Sequence, residues 1–255
     1  MIRVAAVGDV HYDRGCRNRL KYFFEALNGR ADLLVLTGDL TKSGLTEEAE
    51  VLADDLRGIS VPVVAILGNH DYHQDQQQQI HEVLRAANIL SIEGDSTVVE
   101  VHGKRVAVVG VKGFGGGFGG GCCTEFGEPE TKAFARHAKN QADLLRECVQ
   151  KAEGDYKIVL LHYSPVESTL LGERRELYPF LGSYLLANAI DCAGADIVFH
   201  GHSHFGTERG TTPGGIPVRN VAQMVIRHAY NIYSLVEAGH PGYEDLRPGQ
   251  NHSLC

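Results

Sequence analysis

Five times in this chain a short apolar, β-branched run ends in a residue able to hold a metal ion. Residues 2–7 lead into Gly8-Asp9-Val10-His11, and residues 33–36 lead into Gly38-Asp39. Residues 61–67 run into Gly68-Asn69-His70-Asp71, residues 157–161 into His162, and residues 196–199 into His200-Gly201-His202-Ser203-His204. Runs of this length and composition are strands. In a parallel sheet all their C-terminal ends lie along one edge, the edge on which open α/β sheets bind ligands. Groups far apart in sequence then converge in one crevice.

The segments between the early strands support parallel pairing. Leu20, Phe23, Phe24 and Leu27 recur at helical spacing, with Asn18 at the N-cap position. Thr46 is placed to cap a second helix whose Leu52 and Leu56 face inward. Ile80, Val83, Leu84 and Ala87 mark a third helix. Leu145, Cys148, Val149 and Ala152 mark the back half of a fourth, which starts after Pro129. Strands alternating with helices imply right-handed crossovers in a parallel sheet. Two later strand pairs, 97–101 with 105–111 and 216–221 with 231–236, have no helix between them. They predict a second, partly antiparallel sheet or sheet edge. No repeat, linker or composition break divides the chain, so one domain over residues 1–255 is expected, with 239–255 an irregular tail.

The donor set has a consistent chemistry. Asp, His and one Asn carbonyl are oxygen and nitrogen ligands suited to Mn first, and also to Fe, Zn, Co or Ni, rather than to soft copper. Asp9 and His11, like His202 and His204, are two apart, so an extended backbone turns both side chains of each pair the same way. Glycines before Asp9, Asp39, Asn69 and His202 permit sharp turns and close approach. Seven or eight donors exceed the needs of one ion and fit two ions about 4 Å apart that share a carboxylate. Each short motif alone is more often a turn or a cap; five in order, each after its own strand, are not.

Other features exclude function classes. Lys and Arg number 24 against 32 Asp and Glu, a net charge of −8, which leaves no general basic footprint for nucleic acid. No apolar run is long enough to span a membrane. The first residues leave no room for a signal peptide, and the six scattered cysteines contain no C-x-x-C pair. These points predict reduced thiols, with Cys122 and Cys123 adjacent by incident, and a cytoplasmic protein.

Gly8-Asp9-x-His11, Gly38-Asp39, Gly68-Asn69-His70-Asp71, His162 and Gly201-His202-x-His204 together resemble the five signature blocks of the calcineurin-like metallophosphoesterases. The resemblance implies an α/β fold, a four-layer α/β/β/α sandwich with two central mixed β-sheets. It implies one metal on Asp9, His11, Asp39 and His204, and a second on Asp39, Asn69, His162 and His202, with Asp39 bridging. His70 is then the catalytic histidine near the leaving-group oxygen. Two divalent cations lower the pKa of a bridging water, and the resulting hydroxide attacks phosphorus in line while His70 assists the leaving group. Asp71 either supports His70 electrostatically or caps its own turn, and the sequence divides evenly between the two.

Protein phosphatases of the superfamily carry G-D-x-V-D-R-G and N-H-E. Here Gly38-Asp39-Leu40-Thr41-Lys42-Ser43-Gly44 and Asp71 depart from both. The N-H-D block and His162-Tyr163-Ser164-Pro165 are more similar to the prokaryotic, cyclic-nucleotide-phosphodiesterase-like branch. The expected function is hydrolysis of a small, nucleotide-like phosphodiester, or of a phosphomonoester. A nuclease acting on polymeric nucleic acid and a binding scaffold that has lost its metals are the alternatives. A homo-oligomer is compatible with the sequence.

Substrate contacts are expected from loops around the crevice. Arg14 is placed to hold a phosphate or carboxylate oxygen, and Tyr163 adjoins a metal-ligand position. Seven of the nine residues in 113–121 are glycine, a composition that reads either as a mobile lid carrying Phe114 and Phe118 over the site or as a flexible connector. His200 is expected to be a buried hydrogen-bonding group rather than a further ligand.

Overall fold

In a computed structural model, which describes residues 1–236, the strands form two mixed sheets. The first has the order β11-β1-β2-β3-β4 and contains β1 (Ile2–Val7), β2 (Leu33–Thr37), β3 (Val63–Ile66), β4 (Ile89–Ser91) and β11 (Asn231–Leu235). The second has the order β5-β6-β7-β8-β10-β9, from β5 (Asp95–Val101), β6 (Lys104–Gly110), β7 (Tyr156–Leu160), β8 (Ile197–His200), β9 (Arg209–Thr211) and β10 (Pro217–Asn220). Strands β1 to β4 are mutually parallel, as are β6, β7, β8 and β10. Antiparallel partners close the edges: β11 on β1, β5 on β6, and β9 on β10.

Side-chain alternation along the second sheet defines the layers. Val106, Val108, Ile158, Leu160, Ile197 and Phe199 turn toward the first sheet. Ala107, Val109, Val159 and Val198, their neighbours of opposite parity, pack under α4 (Pro129–Lys151) and α6 (Tyr184–Ala193). Strand β2 is buried along its whole length, because α2 (Thr46–Leu56) and α3 (Gln77–Ala86) cover the outer face of its sheet through Leu52, Leu56, Ile80 and Leu84. Helices, two sheets and helices stack as the expected α/β/β/α sandwich.

Several local expectations are corrected. The strands at 216–221 and 231–236 do not pair with each other. β10 takes β8 and the short β9 as partners, and α7 (Gln223–Ile226) carries the chain across to the first sheet, where Leu235 pairs with Ile2. The hairpin of β5 and β6 does form, turned by His102 and Gly103 at φ 50° and 74°. Asn18 is not a cap: it sits at φ 62°, and its N–H donates to the buried Asp55 ahead of the short α1 (Lys21–Glu25). Thr46 lies inside α2, and its hydroxyl donates to Gln76 Oε1 (2.8 Å) while Glu48 satisfies the N–H groups of Ser43 and Leu45. Helix α6, capped by Ser183, was not expected. Residues 239–255 lie outside the described residues. Among the described residues no helix is long and apolar enough to cross a membrane.

Candidate metal centre

The strand ends of the two sheets meet at one point. Gly8 and Asp9 follow β1, Gly38 and Asp39 follow β2, Asn69 and His70 follow β3, His162 follows β7, and His202 and His204 follow β8. Ligand-capable atoms of Asp9, His11, Asp39 and His204 lie within 4.8 Å of one another, and so do those of Asp39, His162 and His202. Asp39 belongs to both sets.

The pairs spaced two apart do converge, but not through an extended backbone. Asp9, His11, Asp39 and His202 are all left-handed, at φ 56°, 43°, 49° and 69°. Each non-glycine residue there costs about 1 kcal/mol or more and persists only where its surroundings impose it. The imposing bonds cross between loops: Asp9 N donates to the Gly38 carbonyl (2.9 Å), His11 N to the Asp39 carbonyl (3.0 Å), and His202 N to the Asp9 carboxylate (2.9 and 3.0 Å). Two glycines permit the approach. A Cβ on Gly68 would lie 2.2 Å from Asp39 Oδ1, and one on Gly38 would lie 2.7 Å from His162 Nδ1.

Hydrogen bonds to backbone carbonyls fix which ring nitrogen of His162, His202 and His70 faces the centre. His162 Nδ1 donates to the Thr37 carbonyl (2.9 Å), so Nε2 presents its lone pair. That nitrogen faces Asn69 Oδ1 at 2.8 Å and Asp39 Oδ1 at 3.2 Å. Three potential ligand atoms therefore converge, an arrangement that fits a cation. His202 Nε2 donates to the Phe180 carbonyl (3.2 Å), which frees Nδ1. His70 Nδ1 donates to the Lys42 carbonyl (2.7 Å), and its Nε2 stands 3.9 Å from Asp39 Oδ2. His204 Nε2 lies 2.9 Å from Asp9 Oδ1.

Electrostatics point the same way. Burial pushes His11 down to about 4 and His202 down to about 3, and holds His162 well below the usual imidazole range, so these rings are neutral and able to ligate. Burial, followed by the charges of Asp9 and Asp71, holds the Asp39 carboxyl well above the usual carboxylate range. His204 is raised, chiefly by its hydrogen bond to Asp9. Neutral nitrogens of His11, His162 and His202 around two buried carboxylates fit divalent ions.

The remaining sequence-derived residues fall into two groups. Asp71 is fully buried and accepts from Leu40 N, Thr41 N, Thr41 Oγ1 and Gly68 N, at 2.5 to 3.1 Å. It clasps the loops after β2 and β3, which accords with the local reading of this residue. His200 is fully buried, donating from Nδ1 to the Gly201 carbonyl (2.8 Å) and bonded through Nε2 to Thr169 Oγ1 (2.9 Å). Arg14 is exposed and paired with Glu47 (3.5 Å). Tyr163 does adjoin the site, its ring 4.4 Å from that of His202.

The glycine-rich run is not free along its length. Gly116 N donates to the Pro179 carbonyl (2.7 Å) and Gly117 N to the Gly182 carbonyl (2.9 Å), beneath α5 (Tyr178–Leu181). Only Gly119 to Gly121 are exposed. Phe118 is buried with Leu170, Tyr178 and Leu181, and Phe114 packs on Phe134, His137 and Tyr163. The glycines serve close packing here rather than mobility. Sequence reasoning did not find the carbonyls of Thr37, Phe180 and Lys42 that orient the rings, because a backbone acceptor leaves no mark on residue type. An open groove of about 530 Å³ flanks His204, lined by Phe205, Gln223, Met224 and Arg227 among others.

A family model described as calcineurin-like phosphoesterase matches residues 2–206. A curated relative named "Probable glycerophosphodiester phosphodiesterase", from Arcobacter nitrofigilis, is 28% identical over 92 residues, 35% of this chain and 33% of its own length. The match thus spans about a third of that relative. Among solved structures, a phosphopantetheinyl hydrolase from Mycobacterium tuberculosis superposes with a TM-score of 0.64 at 14% identity, covering 88% of this chain and 90% of that one. A Plasmodium protein described as the anchor in the inner membrane complex superposes with a TM-score of 0.57 at 16% identity, covering 91% and 80%. These two structures share the fold.

Proposed function

This chain belongs to the calcineurin-like phosphoesterase family, and from that premise we propose that it is a dinuclear metal-dependent phosphodiesterase acting on a small, nucleotide-like substrate. The observation that carries the proposal is the position of Asp39, whose carboxylate belongs to both sets of converging donors. Asp9, His11 and His204 complete one set, and His162, His202 and Asn69 complete the other. When bound, a pair of divalent cations supplies Lewis acidity, activating water near neutral pH and neutralising phosphate oxygens.

The protein's own groups do the rest. His11, His162 and His202 stay neutral through burial, and backbone carbonyls turn the lone pairs of His162 and His202 inward. Asp39 is held by His70 N, which donates to Oδ1 (2.8 Å). His70, its ring tethered to the Lys42 carbonyl and still accessible at 44% exposure, is the acid that delivers a proton to the departing oxygen. The groove beside His204 receives one ester substituent, with exposed Phe205 and Met224 as its apolar walls. A net charge of −8 supports a small substrate over a nucleic-acid polymer. Five unpaired cysteines among the described residues support a reducing, cytoplasmic setting.

The test is hydrolysis of bis(4-nitrophenyl) phosphate against 4-nitrophenyl phosphate by Mn-reconstituted protein, with Asp39→Ala and His70→Ala as controls. The diester is expected to be preferred and Asp39→Ala to lose activity, with a smaller loss in His70→Ala because 4-nitrophenolate leaves without a proton. A strong monoester preference contradicts the diesterase reading, and full activity in Asp39→Ala contradicts the shared carboxylate. Fewer than one bound metal per chain, with no turnover after Mn addition, returns the protein to the scaffold alternative.

A further inference from the structure

We propose that Lys112 anchors a second anionic group of the substrate, a carboxylate or phosphate carried on one ester substituent of the phosphodiester. The inference rests on the phosphodiesterase reading above and names the substrate class within it.

Lys112 occupies the strand-end position of β6. Its carbonyl accepts from His162 N (3.0 Å) and Tyr163 N (3.2 Å), so it sits directly beside the β7 ligand position. The neighbouring parallel strand ends contribute Asp9, Asp39, Asn69, His162 and His202; the β6 end contributes a cation. Its side chain is partly buried, and the ammonium lies 4.6 Å from the Tyr72 ring centroid, 5.7 Å from Tyr163 and 5.9 Å from Phe114. Three aromatic faces fix the long side chain in advance, so little rotamer entropy remains to be lost on binding.

The cage holds the charge without using its protons. Among the described residues Nζ makes no hydrogen bond and no ion pair; its acidic neighbours are Glu93 and Asp39, and Glu93 is bonded through Oε1 to the Lys112 backbone N–H instead (2.8 Å). Partly buried N–H donors on an ammonium are costly to leave unmade, and an anionic oxygen is the group that satisfies them best. The ammonium feels the charge of Asp39, and the Tyr163 ring, 5.7 Å from it, lies 4.4 Å from the His202 ring. Because the metal donors would receive the reacting phosphoryl oxygens, this ammonium is left for a second anion beside them.

The experiment compares ethyl 4-nitrophenyl phosphate with its 2-carboxyethyl and 2-phosphonoethyl analogues, on Mn-loaded wild type, Lys112→Met and Lys112→Arg. Wild type is expected to favour at least one anionic ester over the neutral one by about tenfold in kcat/KM, through KM. Which analogue is favoured identifies carboxylate or phosphate as the source. Lys112→Met is expected to lower that ratio about tenfold, and Lys112→Arg to retain most of it. A wild-type ratio near one, or a ratio unchanged in Lys112→Met, overturns the inference. If no ester is turned over, the phosphodiesterase reading fails instead. The subsite is then judged by calorimetric binding of 3-phosphonopropionate against ethylphosphonate to wild type and Lys112→Met. Discrimination that the variant loses sustains the inference, and equal binding overturns it.

Discussion

His162 Nδ1 donates to the carbonyl of Thr37 at 2.9 Å, a bond that joins the strand ends of the two sheets. Thr37 ends β2 and His162 follows β7, so the packing of sheet on sheet and the orientation of a ligand ring are one structural fact. The bond fixes the tautomer, and burial keeps the ring neutral. Nε2 is thereby committed, lone pair inward, to a point shared with Asp39 and Asn69.

The role proposed for His70, as the acid for the leaving oxygen, makes its importance depend on the leaving group. With an alkyl ester, His70→Gln is expected to lower kcat by about 10² to 10⁴. With 4-nitrophenolate, which leaves without a proton, the loss is expected to be at least about tenfold smaller. Steady-state kinetics on the two ester types read this directly, and equal losses assign His70 to positioning alone.

His11 is held at φ 43°, in the left-handed region. In metal-free protein His11→Gly is expected to be more stable than His11→Ala by about 1 kcal/mol, since glycine alone adopts this conformation without strain. Urea denaturation of the two variants measures the difference. Greater stability of the alanine variant shows that the turn relaxes and holds no strain.

A Cβ on Gly115 would lie 2.3 Å from the Pro179 carbonyl oxygen and 3.2 Å from Phe180 Cα. Phe180 supplies the carbonyl that orients His202. Gly115→Ala is therefore expected to weaken one of the two metal sites about tenfold. Gly120→Ala, where a Cβ meets nothing within 4 Å, is expected to leave metal binding unchanged. Titration of apo protein with Mn, followed by calorimetry, distinguishes the two.

Glu93 links the chain's pH response to the Lys112 region. Burial pushes its carboxyl up to about 7, against the opposing hydrogen bond and charge of Lys112, and its Oε2 is buried without a partner. The folded state thus keeps a proton that the unfolded chain releases near the usual glutamate value. Stability falls as pH rises from that value to about 7, and does not recover above it. Glu93→Gln, which resembles the protonated acid, is expected to match wild type at pH 4 and exceed it by about 2 kcal/mol at pH 8. Urea midpoints at the two pH values supply the check, and a constant difference between the proteins contradicts the assignment.

Much of this site was legible in sequence because its donors follow β-branched runs directly, and a parallel sheet gathers such positions on one edge. The reasons were less legible than the residues. Asp9 and His11 converge through left-handed turns that cross-loop hydrogen bonds impose, not through the alternation of an extended strand. The partner of β11 was misread because strand pairing is a long-range choice, and α7 moves the chain between sheets. Glycine composition suggested mobility in 113–121, where Gly115 to Gly117 are instead packed closely under α5. Lys112 escaped notice because a lysine after a strand carries no signal until the rings of Tyr72, Phe114 and Tyr163 are seen around it.

The shared carboxylate of Asp39 is the central claim, and anomalous diffraction from Mn-loaded crystals addresses it most directly. Two peaks about 4 Å apart are expected, one among Asp9, His11 and His204, the other among Asn69, His162 and His202, with both ions within bonding distance of Asp39. A single peak, or two peaks of which one lies out of reach of Asp39, would contradict the account.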